Sequence, residues 1–166
     1  AEKDVTLALA HRLARELSPH AQVRLTRGDD RNLPLSARAR VAHDWGAALF
    51  LGLHASPRPA GTCDGLELWT HELAPPVATE GLAAALATSV GPVRRLCSDL
   101  ETLRPHRHDP ATLPVLLEVA DLARADARRR LGSPRGLDTL AQGLSRSVRS
   151  ALRVWSSQDG VSRSHQ

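Results

Sequence analysis

Two rhythms of apolar residues alternate along the chain. In residues 3–17, KDVTLALAHRLAREL, Val5, Leu9, Leu13 and Leu17 recur four apart with Ala10 and Ala14 beside them. That spacing lays one apolar stripe along an α-helix. Pro19 stops it, and Glu2 and Asp4 fall in its first turn, where carboxylates meet unpaired amides favourably. QVRLTR, residues 22–27, then alternates Val23 and Leu25 with polar neighbours, which predicts a short strand near a sheet edge. After the loop GDDRNLP, Leu35, Ala39, Ala42 and Trp45 return to helical spacing, from about Pro34 until Gly46.

ALFLGLHA, residues 48–55, is apolar on both faces, the pattern of an interior strand covered by helices on each side. GLELWTH, residues 65–71, alternates Leu66 and Leu68 with Glu67 and Thr70 and predicts another strand. A helix follows over 75–90, started by Pro75 and Pro76. Residues 91–112 hold three prolines and no clear period, and read as loop with at most one short helical turn. LPVLLEVADL, residues 113–122, is a second buried strand, and Leu140, Leu144, Val148, Ala151, Leu152 and Trp155 mark a terminal helix over 138–155.

Helices and strands in alternation with short connections are the grammar of an α/β fold: a single domain, with a mostly parallel twisted sheet and helices on both faces. The expected domain is 1–155, and 156–166, without apolar periodicity, reads as a disordered tail. The length of 166 residues suits one domain. No run approaches the roughly 18 apolar residues of a membrane-spanning helix. The chain lacks methionine and a signal peptide, so Ala1 is not a translation start and the chain reads as a piece of something longer.

Basic residues number 22 against 18 acidic, and all but Lys3 are arginine. They are scattered among acids with no aromatic stacking pattern near them, which argues against a nucleic-acid-binding domain. Cys63 and Cys97 are too few and too far apart for a zinc finger or a CxxC redox pair, and sequence leaves open whether they are bonded.

Three groups carry candidate chemistry. Glu2 opens a helix, His54 ends one buried strand, and Glu118 sits near the end of another. Carboxyl ends of strands form the ligand crevice of open α/β sheets, so His54 and Glu118 are expected to face one place. Each also has an ordinary reading: a first-turn carboxylate for Glu2, a core histidine for His54, and an arginine-paired carboxylate for Glu118. Glu118 is the hardest to dismiss, because an unpaired carboxylate among PVLL and VA loses several kcal/mol of hydration. Glu67 and His71 read as a solvated strand residue and a strand-end residue, with contact to substrate as the alternative, and His11, His20 and His43 as surface residues.

EKDVTLALAHRLARELS, VRLTRGDDRNLPLSARARVAH, ALFLGLHAS, GLELW and LPVLLEVADL, in this order, resemble the zinc-dependent N-acetylmuramoyl-L-alanine amidases of bacterial cell walls over about residues 2–155. The resemblance implies zinc held by a histidine in a Gly-His-Gly loop after a first strand, by the glutamate of EKD and by the histidine of a HAN strand end, with a second glutamate acting on the attacking water. Carried across, the metal ligands are Glu2 and His54, and the catalytic residue is Glu118. The first strand and its histidine have no counterpart, Ser56 replaces the asparagine after HA, and Ala120 and Asp121 replace the glycine and aromatic after the catalytic glutamate.

The implied chemistry is zinc-dependent hydrolysis of the amide between N-acetylmuramic acid and L-alanine, with Glu118 moving the proton. The alternative is a metal-free module of the same fold that binds cell-wall material or a protein partner. His106 and His108 are candidate replacement ligands. The resemblance also implies peptidoglycan fragments as substrate, a protein activator as a partner, and an extracytoplasmic address, periplasmic or secreted.

Overall fold

The computed structural model describes residues 1–57, 65–101, 103–106 and 112–162. In chain order the elements are α1 (Glu2–Leu17), α2 (Leu35–Trp45), β1 (Leu49–His54), β2 (Leu66–Thr70), α3 (Pro76–Ser89), β3 (Val93–Cys97), a 3-10 turn (Arg104–His106), β4 (Leu113–Glu118), α4 (Ala125–Leu131) and α5 (Pro134–Ser162). Strand order in the sheet is β1-β4-β2-β3. β1 and β4 run parallel, β2 and β3 run parallel, and β2 lies antiparallel to β4. The domain is therefore α/β with mostly parallel pairing, as the alternation of elements implied.

The core follows from the stripes. Leu9, Leu13 and Leu17 of α1, Leu82 and Leu86 of α3, and Leu144, Val148 and Ala151 of α5 are buried in one cluster. Leu113, Val115 and Leu117 of β4 join the same cluster from the sheet, and Leu49, Leu51 and Leu53 of β1 pack against it. Phe50, on the opposite face of β1, is buried with Ala42 and Ala47 against Trp45 at the end of α2. Alternation along β1 thus commits its leucines to one helical layer and its phenylalanine to the other. Gly46 ends α2 with φ 66°, a left-handed cap that glycine adopts without strain, and this turns the chain into β1.

Three expectations meet a different arrangement. Residues 22–27 form no strand. Val23 and Leu25 alternate as a strand would, but no described strand lies beside them to supply a hydrogen-bond ladder. β1 is packed by helices on both faces, as expected, and stands at the edge of the sheet among the described residues. Residues 91–112, expected to be loop, contain β3 and the 3-10 turn; the exposed Arg94, Arg95 and Cys97 hide the strand, because on this outer strand only Val93 and Leu96 are drawn inward. The backbone of α5 continues past Trp155 to Ser162. No helix among the described residues is long and apolar enough to cross a membrane.

Candidate functional site

Parallel pairing of β1 with β4 places His54 opposite Glu118, so both strands deliver their last residue to the same edge of the sheet. The first turn of α1 reaches that edge too. His54 Nδ1 lies 3.3 Å from Glu2 Oε1, and the Ala55 amide donates to the same oxygen over 3.1 Å. Glu118 is held by the next residue: the Ser56 amide donates to Oε2 at 2.8 Å, and the Ser56 hydroxyl donates to Oε1 at 2.9 Å. The same hydroxyl stands 3.4 Å from Glu2 Oε1. The two residues after β1 therefore tie together carboxylates that are 116 positions apart in the sequence.

Glu2 and His54 are about one-third exposed, so the crevice opens to solvent. Its third carboxylate arrives from β2, whose antiparallel register sets Glu67 against Glu118. Glu67 is buried, not solvated as its alternating strand suggested. Its Oε2 accepts the Trp69 indole N–H at 3.2 Å, and Arg94 stands 3.7 Å from Oε1. His71 is buried as well, but it follows the far end of β2, because β2 runs against β4. Its Nδ1 accepts the Leu73 amide at 3.1 Å, and Nε2 lies 3.6 Å from Asp99. His71 thus takes no part in the crevice. His11, His20 and His43 are exposed, as expected.

A loop braces the helix end that carries Glu2. Lys3 pairs with Asp30, and Arg27 donates to the Lys3 carbonyl at 3.0 Å. Within that loop the Arg31 guanidinium hydrogen bonds, joined by the Arg31 amide, hold the Asp29 carboxyl down to about 2. Lys3 is shifted upward by its hydrogen bond and charge pairing with Asp30.

The structure brings together all three expected site residues, yet it does not make them a metal centre. Glu2 Oε1 already faces three groups, and both Glu118 oxygens face Ser56. Among the described residues no group of three or more His, Cys, Asp or Glu side chains could hold a metal ion. This corrects the expectation of a zinc cofactor and, with it, of a zinc-dependent reaction at Glu2 and His54. His108 and the side chain of His106 lie outside the described residues, as does Cys63; Cys97 is an exposed free thiol. Ser56 and Arg94 are the site residues that sequence reading missed. Ser56 stood only as a substitution after HA, and its role depends on a strand register that no local pattern reveals.

An α/β layer structure with an acidic crevice at the ends of two parallel strands defines a class of fold in which ligands bind at strand ends. The sequence model of the N-acetylmuramoyl-L-alanine amidase family matches residues 1–150, and the chain belongs to that family. It is 42% identical over 65 residues to the N-acetylmuramoyl-L-alanine amidase AmiA of Escherichia coli, and equally so to AmiA of Salmonella typhimurium. These stretches cover 36% of this chain but only 22% of each relative's length. Among solved structures, the catalytic domain of the amidase CwlV from Paenibacillus polymyxa superposes with a TM-score of 0.78 at 26% identity, over 93% of this chain and 86% of that one. An amidase from Clostridium difficile shares the fold, with a TM-score of 0.78 at 24% identity over 92% and 84% of the two chains.

Proposed function

We propose that this domain recognises peptidoglycan, binding the junction between muramic acid and its peptide in the crevice of Glu2, His54, Ser56 and Glu118. The observation that carries the reading is the Ser56 clamp, which keeps two carboxylates side by side at an open strand edge. Carboxylate oxygens beyond those bonds accept from donors, and the muramoyl–peptide junction offers amide N–H and sugar hydroxyl groups. Family membership supports the substrate class. An extracytoplasmic address goes with that substrate.

Amide hydrolysis is a second reading, favoured by the placement of Glu118 at a strand end with its carboxylate fixed from two sides. Glu118 is then the residue that accepts a proton in the reaction named by the family. Calorimetric titration with a soluble disaccharide-peptide, with chromatography of the same mixture, tests both readings. Binding that falls about tenfold in Glu118→Gln, the loss of one charge-assisted contact of about 1.5 kcal/mol, supports recognition. Released peptide that disappears in Glu118→Gln supports hydrolysis as well. Absence of binding at millimolar ligand overturns the proposal.

A further inference from the structure

Side chains alternate between the two faces of a sheet, and this separates the crevice from a second cavity at the same edge. Glu67 and Glu118 turn to one face, whereas their chain neighbours Leu66 and Val119 are buried in the cluster that holds Leu82 and Leu86 of α3 and Leu144 of α5. On that other side lies a cavity of about 490 Å³, a volume that suits a small ligand. The chain entering β2 and β3 and the segment from Val119 to Asp121 form its sheet side, and α4, α5 and the end of α3 border it from the helical layer.

Arginine sets the charge of this cavity. Arg124, Arg130 and Arg146 border it together with Asp121 and Asp126, which leaves one net positive charge. Arg124 is already paired, its Nε 3.2 Å from Asp126 Oδ1. Arg130 and Arg146 are exposed, and among the described residues neither faces a carboxylate; Arg146 donates only to the Ser89 carbonyl, at 3.4 Å. Gly136 brings the first turn of α5 to the same space, so the positive end of a long helix adds to the two guanidinium groups. Leu66, Val90 and Leu140 supply an apolar wall. Ala120 adds a further requirement: it lines the cavity at 4% exposure, yet neither its N–H nor its C=O makes a hydrogen bond among the described residues. Buried backbone groups need partners.

We propose that this cavity is a second ligand site, for a short peptide whose free C-terminal carboxylate is held by Arg130 and Arg146. A guanidinium fork matches a carboxylate in shape and charge. A monoanion neutralises the one net positive charge, which a phosphate dianion would exceed. Aliphatic side chains of the peptide meet Leu66, Val90 and Leu140, and its amide groups pair with the backbone of Ala120, which the chain of a fatty acid cannot do. The site stands on this geometry alone and is independent of what the crevice binds.

The test titrates the whole chain with N-acetyl-valyl-alanine and follows backbone amides and arginine side chains by NMR. Saturable shifts are expected at the Gly65, Gly91 and Ala120 amides and at Nε of Arg130 and Arg146. The C-terminal amide of the same dipeptide, which lacks the charge, should bind at least about tenfold more weakly. Arg130→Gln and Arg146→Gln should each weaken binding several-fold and, because both side chains are exposed, leave the spectrum outside the cavity unchanged. Equal binding of the amide, tighter binding of inorganic phosphate, or no shift at millimolar peptide overturns the proposal. Shifts confined to the Ala55 and Ser56 amides put the peptide in the crevice, which overturns this site and leaves the crevice reading intact.

Discussion

Ser56 holds Glu118 from two directions at once, its amide 2.8 Å from Oε2 and its hydroxyl 2.9 Å from Oε1. Ser56→Ala removes the hydroxyl bond and leaves the amide bond. Because the site is partly open to water, the expected cost is about 1 kcal/mol, measured by urea unfolding. Ser56→Thr should recover most of it. A loss equal in Ser56→Ala and Ser56→Thr would mean that the hydroxyl bond contributes nothing.

Glu67 and Glu118 face each other across β2 and β4, and like charges in that position repel. A double-mutant cycle with Glu67→Gln and Glu118→Gln should show an unfavourable interaction of about 0.2–1 kcal/mol between the native carboxylates. Glu118→Gln is then less destabilising beside Glu67 than beside Gln. The coupling should shrink in about 1 M salt, where screening is short-ranged. A coupling of zero at low salt would show that Arg94, 3.7 Å from Glu67, already cancels it.

Gly65 introduces β2 two residues before Glu67, and two features tie the position to glycine. Its φ is 130°, and an added Cβ would stand 2.5 Å from the Pro92 carbonyl oxygen. That carbonyl accepts the Leu66 amide at 2.9 Å, so it cannot withdraw without breaking the start of the β2 and β3 pairing. Gly65→Ala should cost about 1–3 kcal/mol from backbone strain alone, seen as a lower urea midpoint. An unchanged midpoint would contradict this backbone geometry.

The Asp29 and Arg31 pair sets a pH window for the loop that braces α1. Asp29 sits at about 2, below its ordinary 3.8, because Arg31 hydrogen bonds favour the carboxylate. A depressed acid adds stability above its unfolded value and loses it as pH falls through the folded value. The contribution is thus complete above about pH 4 and disappears toward pH 2, and it is small because both side chains are more than half exposed. Amide protection factors across residues 27–31, which are exchange rates relative to the unstructured chain at the same pH, should fall over that window in the native chain and not in Asp29→Asn. Identical profiles would remove the pair from the loop's stability.

The sequence by itself determined the elements whose period is enforced by a continuous core. The fourfold leucine spacing of α1 and the unbroken apolar run of β4 each read correctly, because burial against many neighbours leaves one workable face. It also drew attention to His54 and Glu118, since a polar group closing an apolar run is conspicuous in any register, whereas Glu2, a carboxylate in the first turn of a helix, stood out through the family resemblance. Tertiary structure alone decided how those groups meet. The parallel register of β1 and β4 set His54 against Glu118, the turn after β1 aimed Ser56 at two carboxylates, and the reversed direction of β2 brought Glu67 into the crevice while carrying His71 away. Strand direction and neighbour order arise from contacts between distant segments, so local periodicity carries no record of them. For the same reason Val23 and Leu25 alternate like a strand without becoming one: a ladder forms only where a second backbone is present to complete it.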